Sequence, residues 1–398
     1  MKQIRKDCGS DISDIFQYDL VVVGGGMGGV AAALAACRQG KKVLLVDRMY
    51  ALGGLATLGL ITIYLPLCDG KGRQVSFGLN DELLKLSISL GFEDKYPDTW
   101  LQKSAEHGSQ RFEAGYNAQV FAILMEQALV KAGCSLLYGT SVVGITKQNT
   151  VIDTLTLENC SGRQIVKTAA VVDATGDARI CLLAGADTAV YKKGNALAAW
   201  YYETIEGKTV RRMLGAADIL SQNVSDEVPQ KLESKRYSGL DAVEISEMMQ
   251  NAHNHILSDF LKHGNVSQEH SLATIAAIPQ LRMTRRLVGE YEMQDDEMHH
   301  YMEDSIGLIS DWRKAGPVYE LPLRSLYTKK IQNLAAVGRC ISVSDNMWDI
   351  TRVIPCAVAS GQAAGTALSL SCDLTALDIV ELQKTLKSAG VVVHERDL

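Results

Sequence analysis

The sequence predicts an α/β fold: a Rossmann-like domain, made of a parallel sheet plus a β-meander, with an α+β domain inserted into it. Three observations predict this. An apolar run at 19–23, a glycine-rich turn, a small-residue helix and a second apolar run at 42–47 spell a βαβ unit. Short strand-like stretches between 135 and 173, with turn residues at Asn149 and Ser161–Gly162, read as the meander. Towards the other end, "IQNLAAV" (331–337) reads as a buried strand. It leads through Gly338 and a loop to "CAVASGQAAGTALSL" (356–370), a helix of small residues that packs close to backbone or ligand.

Taken in order, residues 1–17 form a polar lead-in with early positive charge and no apolar stretch of the secretory kind. Strand 19–23, helix 28–39 and strand 42–47 follow, then a glycine-rich loop to about residue 78. "NDELLKLSISLG" (80–91) reads as helix. Asn117 is the predicted N-cap of a helix over 118–132, which Gly133 ends. From about 190 to 317 the texture changes. "LDAVEISEMMQNAHNHILSDFLKHG" (240–264) carries apolar residues at helical spacing, and a strand-like "LRMTRRLVGEYEM" follows Pro279. The expected organisation is a discontinuous first domain (18–190 and 318–372), a substrate or cap domain (191–317) and a C-terminal segment (373–398).

Bulk properties narrow the function. The chain has 398 residues, enough for two domains, and its 47% apolar and 22% charged residues suit a folded soluble protein. No apolar run approaches the roughly 18 residues of a membrane span. A net charge of −6 without a basic block argues against nucleic acid. Nine scattered cysteines, odd in number and without CxxC, point to free thiols in a reducing cytoplasm. No His/Cys cluster has metal-ligand spacing, so no metal is expected.

Gly24-x-Gly26-x-x-Gly29 is the most informative stretch. These glycines permit a tight turn, close approach of a pyrophosphate and close helix–strand packing. The helix N-terminus behind them offers N–H groups and a positive dipole end to phosphates. Asp47 ends the second strand, where a carboxylate can accept a ribose 2′-OH and disfavours a 2′-phosphate. The motif alone does not choose between NAD and FAD.

Three further pieces bear on that choice. "DRMYALGGLAT" sets Arg48 beside the acid and Gly53–Gly54 shortly after it. "VVDATGD" (171–177) runs a strand into Gly176–Asp177. "NLAAVGRCIS" (333–342) is followed by "TRVIPCAVASGQAAG" (351–365). Together with "RMTRRLVGEYEM" and "LPLRSLY", these resemble the FAD-dependent oxidoreductase family. That family lies in the glutathione-reductase-like superfamily and is related to the fumarate reductase and succinate dehydrogenase flavoproteins. The resemblance spans roughly residues 18–370.

It implies an FAD-binding domain and a role for each matching residue. Asp47 would bind the adenosine ribose and Arg48 would lie near the adenine end. Gly53, Gly54 and Thr57 would lie along the pyrophosphate and flavin. Val143 would meet adenine through its backbone, and Ala174, Gly176 and Asp177 would line the adenosine side. Gly338 and Arg339 would lie near the pyrophosphate and ribityl chain. The helix starting near Pro355 would aim its N-terminus at the flavin N1–C2=O edge, with Arg352 beside it. There a dipole and a cation favour the anionic reduced flavin. Many superfamily members have an acid where this chain has Arg339, which leaves the ribityl chain without that side chain. "GGLATLGLITIY" lacks the histidine that bonds flavin in covalent members, so FAD is expected to be noncovalent. Neither a second GxGxxG nor a CxxC is present, which argues against a pyridine-nucleotide disulfide reductase.

For chemistry, Arg282 and Arg286 are four apart and share a face in either helix or strand. They suit an anionic substrate, or an ion pair with Glu290 or Glu292. Arg324 could extend such a pocket, and Arg352 could stabilise N1 or anchor substrate. His299 is a general base by type, or one of a surface pair with His300. Tyr201 and Tyr202 could wall the flavin or fill core. The expected activity is hydride transfer between flavin N5 and a small organic substrate, with the arginines pointing to an anionic one. An electron acceptor or donor of unspecified identity would complete the cycle. A fumarate-reductase-like ene-reductase, which needs an Arg and a His converging over the flavin, is one alternative. An NADPH- and O2-dependent hydroxylase and a non-catalytic flavin-binding protein are others.

Overall fold

The computed structural model describes residues 15–90, 113–215 and 231–398. Strand β1 (Ile15–Val23), helix α1 (Met27–Arg38) and strand β2 (Val43–Val46) form the expected βαβ unit. Helices α2 (Leu79–Ile88) and α3 (Ala118–Lys131) follow, then β3 (Ser135–Leu137) and the meander β4 (Ser141–Gln148), β5 (Val151–Asn159) and β6 (Gly162–Asp173). A short α4 (Arg179–Ala184) and β7 (Thr188–Val190) lead to β8 (Ala199–Ile205), β9 (Lys208–Leu214), α5 (Ala242–Phe260) and β10 (His270–Ile275). The chain returns through β11 (Arg285–Leu287), β12 (Ser305–Ser310), β13 (Val318–Pro322) and β14 (Leu334–Ala336). It ends in helices α6 (Asp345–Thr351), α7 (Ile354–Leu370) and α8 (Ile379–Ser388).

The main sheet has seven strands in the order β3-β2-β1-β6-β5-β4, with β14 also paired to β6. Pairs β3–β2, β2–β1, β1–β6 and β14–β6 are parallel; β4, β5 and β6 are antiparallel. All four residues of β2 are buried, as an apolar run between two covered faces requires. Asn117 caps α3 as expected, accepting from the N–H groups of Gln119 and Val120, both at 3.1 Å.

Small residues in α1 and α7 have a packing reason. A Cβ at Gly361 would lie 2.2 Å from the carbonyl oxygen of Gly28, and one at Gly365 2.2 Å from that of Ala32. The two helices meet backbone to backbone, and larger side chains would separate them. No single helix among the described residues is long and apolar enough to cross a membrane.

A second, smaller sheet is antiparallel, in the order β9-β8-β10, with α5 against it. Asp241 caps α5 by accepting from Glu244 N–H at 2.9 Å. Its apolar cluster gathers Leu197, Ala199, Tyr201, Tyr237, Met248, Ala252, Ile256, Phe260 and Leu281.

Three expectations need correction. β1 begins at Ile15, inside the expected lead-in, because Ile15–Gln17 pair with Ile165–Lys167 of β6; residues 1–14 lie outside the described ones. The expected insert 191–317 is too long, since β11 pairs with β7 and Met293, Ile306 and Ile309 belong to the main core. The stretch after Pro279 is strand only over Arg285–Leu287. Ahead of that strand the buried Asn195 side chain takes the backbone bonds: Arg282 and Met283 N–H donate to its Oδ1, and its Nδ2 donates to Met283 C=O.

Candidate active site

One cleft of about 700 Å³ lies at the C-terminal ends of the parallel strands, where Val23, Val46, Ala174 and Val337 lead off the sheet into its walls. The first wall is the glycine turn. Gly24 has φ +108°, and a Cβ there would lie 2.3 Å from the carbonyl oxygen of Ala174. Gly29 does not line the cleft; it lets α1 rest on the Gly24 carbonyl. A Cβ at Gly26 would meet no protein atom within 4 Å. Gly26 is also the α1 N-cap and carries no side-chain cap, so the helix N–H groups open towards the cleft.

Asp47 fixes this turn. Its Oδ2 accepts from Gly25 N–H and its Oδ1 from Met49 N–H at 2.7 Å. Burial raises its pKa, while these backbone bonds and Arg48 pull it down. The second glycine turn docks on the first: Gly53 N–H donates to the Gly25 carbonyl at 2.7 Å, with φ +101° at Gly53. Thr57 stands behind that turn, outside the lining, with its hydroxyl donating to the Leu52 carbonyl.

On the opposite wall, Asp173, not singled out from sequence, builds the "DATGD" turn. It accepts from Thr175 at one oxygen, and at the other from the N–H groups of Ile180 and Cys181 at 2.8 and 2.9 Å. The turn presents Ala174, Gly176, Asp177 and Arg179 to the cleft, and Val143 lines the neighbouring rim. Arg179 was missed because nothing in its spacing marks it.

α7 brings Val353, Ile354 and Ala357 to the cleft, again with no side-chain cap at its N-terminus. Pro355 is buried in its first turn and does not line the cleft; a proline there loses no helix bond. Arg352 does line it. Its Nε donates to Oδ1 of Asp349 at 2.7 Å, Nη2 pairs with the same oxygen at 2.6 Å, and its guanidinium lies over Trp312.

Residues 277–284 strap one side of the cleft. Ala277 N–H donates to Leu58 C=O at 2.8 Å, and Gln280 Nε2 to Gly59 C=O at 2.5 Å. At the far end Arg339 Nη1 donates to the carbonyls of Leu281 and Arg282, and Thr284 Oγ1 to that of Gly176 at 3.3 Å. Ala277, Ile278, Pro279 and Leu281 give the strap an apolar inner face. Its sequence alternates like a strand, and Pro279 alone signals otherwise.

The arginine–histidine cluster expected for chemistry is not assembled. Arg282 stacks on Trp200 and donates to Gln280 C=O, and Arg286 stacks on Trp348 and pairs with Glu292 at 2.8 Å. Arg324 is held by both oxygens of Asp304, each at 3.0 Å. His299 is half exposed and pairs with Glu395 at 2.9 Å. All four lie outside the lining, and no histidine is among the described lining residues. Tyr201 and Tyr202 are core, bonded to Asp259 and Thr62. Each of these groups found a partner close by in space, so its charge or hydroxyl is already used.

What remains fits a dinucleotide. Two uncapped helix N-termini face the cleft, beside glycines whose missing Cβ leaves room, and Arg48, Arg179, Arg339 and Arg352 surround it. Asp47→Ala is expected to weaken cofactor binding roughly tenfold to a hundredfold, the worth of a hydrogen bond to a charged group. Titration of the apoprotein by flavin fluorescence checks this; an unchanged affinity would remove Asp47 from the site.

The profile of the family described as FAD dependent oxidoreductase matches residues 19–199 and 191–386. A thioredoxin reductase of Ureaplasma parvum serovar 3 is 32% identical over 76 residues, 19% of this chain. The match spans 25% of that curated relative's length. Among solved structures, a geranylgeranyl bacteriochlorophyll reductase-like protein of Thermoplasma acidophilum aligns with TM-score 0.45 at 13% identity, covering 95% of this chain and 83% of that one. A 3-ketosteroid-Δ4-(5α)-dehydrogenase of Rhodococcus jostii aligns with TM-score 0.42 at 14% identity, covering 89% and 97%.

Proposed function

This chain belongs to the FAD dependent oxidoreductase family, and from that premise we propose that it moves a hydride between flavin N5 and a carbon of a small organic substrate. The observation that carries the reading is the cleft itself, where a dinucleotide cradle and an apolar strap face one space with Arg352 at the start of α7. FAD, when bound, supplies a two-electron carrier that accepts or returns hydride. Asp47 holds the adenosine ribose, and the N-terminus of α1 with Arg48, Arg179 and Arg339 receives the phosphates.

The strap excludes water from the reacting face and offers an apolar surface to the substrate body. Arg352, steadied by Asp349, offers its remaining Nη1 to negative charge, on the flavin edge or on a substrate carboxylate or carbonyl. In the oxidative direction a substrate C–H bond gives hydride and the substrate's own O–H or N–H gives a proton to solvent. The cycle closes on a separate small-molecule electron acceptor or, run in reverse, a donor.

Anaerobic mixing of the yellow holoprotein with panels of small acids, amines and polyols tests this. Loss of the flavin absorbance with one class is the expected result. Bleaching by NADPH but by no C–H substrate would overturn it. Arg352→Met is expected to slow flavin reduction roughly tenfold to a hundredfold, the scale of losing one preorganised donor, with Arg352→Lys recovering part. Stopped-flow absorbance reads both; equal rates in all three proteins would remove Arg352 from the reaction.

A further inference from the structure

The turn between β12 and β13 directs three successive residues at the end of α6. The Asp311 side chain is fully buried and holds Arg313 with both oxygens, Nε at 2.9 Å and Nη2 at 3.0 Å. Trp312 donates its indole N–H to the Asp349 carbonyl at 2.8 Å and lies under the Arg352 guanidinium. Arg313 turns Nη1 towards Oδ2 of Asp349, at 3.7 Å. That oxygen accepts no hydrogen bond among the described residues, and both Arg352 contacts fall on Oδ1. Burial pulls the Arg313 pKa down, but the bond to Asp311 and the charges of Asp311 and Asp349 leave it raised, so Arg313 stays a cation. Four charges thus alternate in sign from the turn to the cleft: Asp311, Arg313, Asp349, Arg352. The side chains of Asp311 and Asp349 are 0% and 2% exposed and those of Arg313 and Arg352 17% and 10%, so salt and solvent screen the row poorly. An isolated Asp349–Arg352 pair would present a neutral unit to the cleft. Arg313 draws on the Asp349 charge from behind, and Asp311 limits how far.

We propose that Asp311 and Arg313 are positioning residues that act through Asp349 to set how much of the Arg352 charge reaches the flavin. The inference deepens the functional reading and rests on its placement of Arg352 at the flavin edge; it is independent of the substrate.

Sulfite titration of the yellow holoprotein tests this. Sulfite adds to N5 of oxidised flavin: its sulfur lone pair forms the S–N5 bond, and the displaced electron pair leaves negative charge at the N1–C2=O edge. Its Kd, read from loss of the visible flavin band, therefore reports positive charge at that edge. Removing a cation of the row should weaken sulfite, and removing an anion should tighten it. Arg352→Met is expected to raise Kd roughly tenfold and Asp349→Asn to lower it roughly tenfold. Arg313→Gln should raise it, and Asp311→Asn lower it, by roughly threefold, less because these charges stand further off. The double variant Asp311→Asn/Arg313→Gln should fall between its two singles. It leaves no charge in the turn unpaired, so its comparison with Asp311→Asn reads the Arg313 charge even where Arg313→Gln alone does not fold. A cluster that merely holds Arg352 in place would instead weaken sulfite whichever member is removed. Weaker sulfite in Asp311→Asn, or no change there and in Arg313→Gln, would overturn the proposal while Arg352→Met still weakens it. An unchanged Kd in Arg352→Met would overturn the placement of Arg352 itself.

Discussion

Gly29→Ala is expected to yield a chain that neither retains FAD nor reaches native stability. A Cβ at Gly29 would sit 1.8 Å from the Gly24 carbonyl oxygen, 3.0 Å from its carbon and 3.1 Å from the Ala174 Cβ. The first two are backbone atoms, and no flexible side chain can yield. α1 would have to lift off β1, but α7 holds its other side at Gly28 and Ala32. Overpacking of this kind costs about 3 kcal/mol or more, against a total of about 5–15. Gly26→Ala is the contrast. Gly26 has φ −68° and ψ 178°, which alanine adopts freely, and its Cβ would meet no protein atom within 4 Å. That variant should unfold at the same urea concentration as the unmodified protein and bind FAD more weakly, because its methyl takes cofactor space. Urea midpoints with bound-FAD content check both. A Gly29→Ala midpoint within about 1 kcal/mol of the unmodified protein, the size of an ordinary substitution, would refute the packing argument.

The second large effect lies in the small antiparallel sheet. The Glu203 carboxylate is fully buried and meets Arg212 Nε at 2.5 Å, His263 Nδ1 at 3.0 Å and His270 Nε2 at 3.2 Å. Burial alone would raise its pKa, yet bonds from Arg212, His270 and His263 hold it below the usual glutamate value. Glu203→Ala strips three polar partners of their acceptor and should cost about 3 kcal/mol, the lower end for a broken buried pair because Arg212 is a third exposed. A carboxylate with a lowered folded pKa contributes stability above its unfolded pKa and loses it as pH falls through the folded one. The loss of stability with acid should therefore steepen below about pH 4.5, the ordinary glutamate range. Glu203→Gln should flatten that limb. Thermal melts across pH 3–7 read this, and identical acid limbs in both proteins would count against it.

The sequence made the βαβ unit legible because its information is local. Glycine spacing, a buried four-residue strand and the Asn117 cap each act within a few positions. The cradle residues Gly24, Gly26, Asp47, Arg48, Gly53, Gly54, Ala174, Gly176, Asp177, Gly338 and Arg339 are brought to one cleft for that reason. The expected chemical cluster failed for the opposite reason. Arg324 is neutralised by Asp304 and His299 is held by Glu395, pairings across 20 and 96 positions that no spacing rule contains. The strap was hidden too. Apolar alternation after Pro279 resembles a strand, and only the distant Asn195 side chain diverts its backbone bonds.

That strap bears on time as much as on shape. Bonds to Leu58 and Gly59 at one end, and to Gly176 and Arg339 at the other, must part before anything beneath it can leave. The residence time of FAD is then expected to depend on how often this segment opens locally as well as on the strength of each contact. Weakening an anchor at either end shortens that lifetime even where the anchor never touches the flavin. The segment that shapes one side of the cleft is thereby expected to set the pace of cofactor exchange.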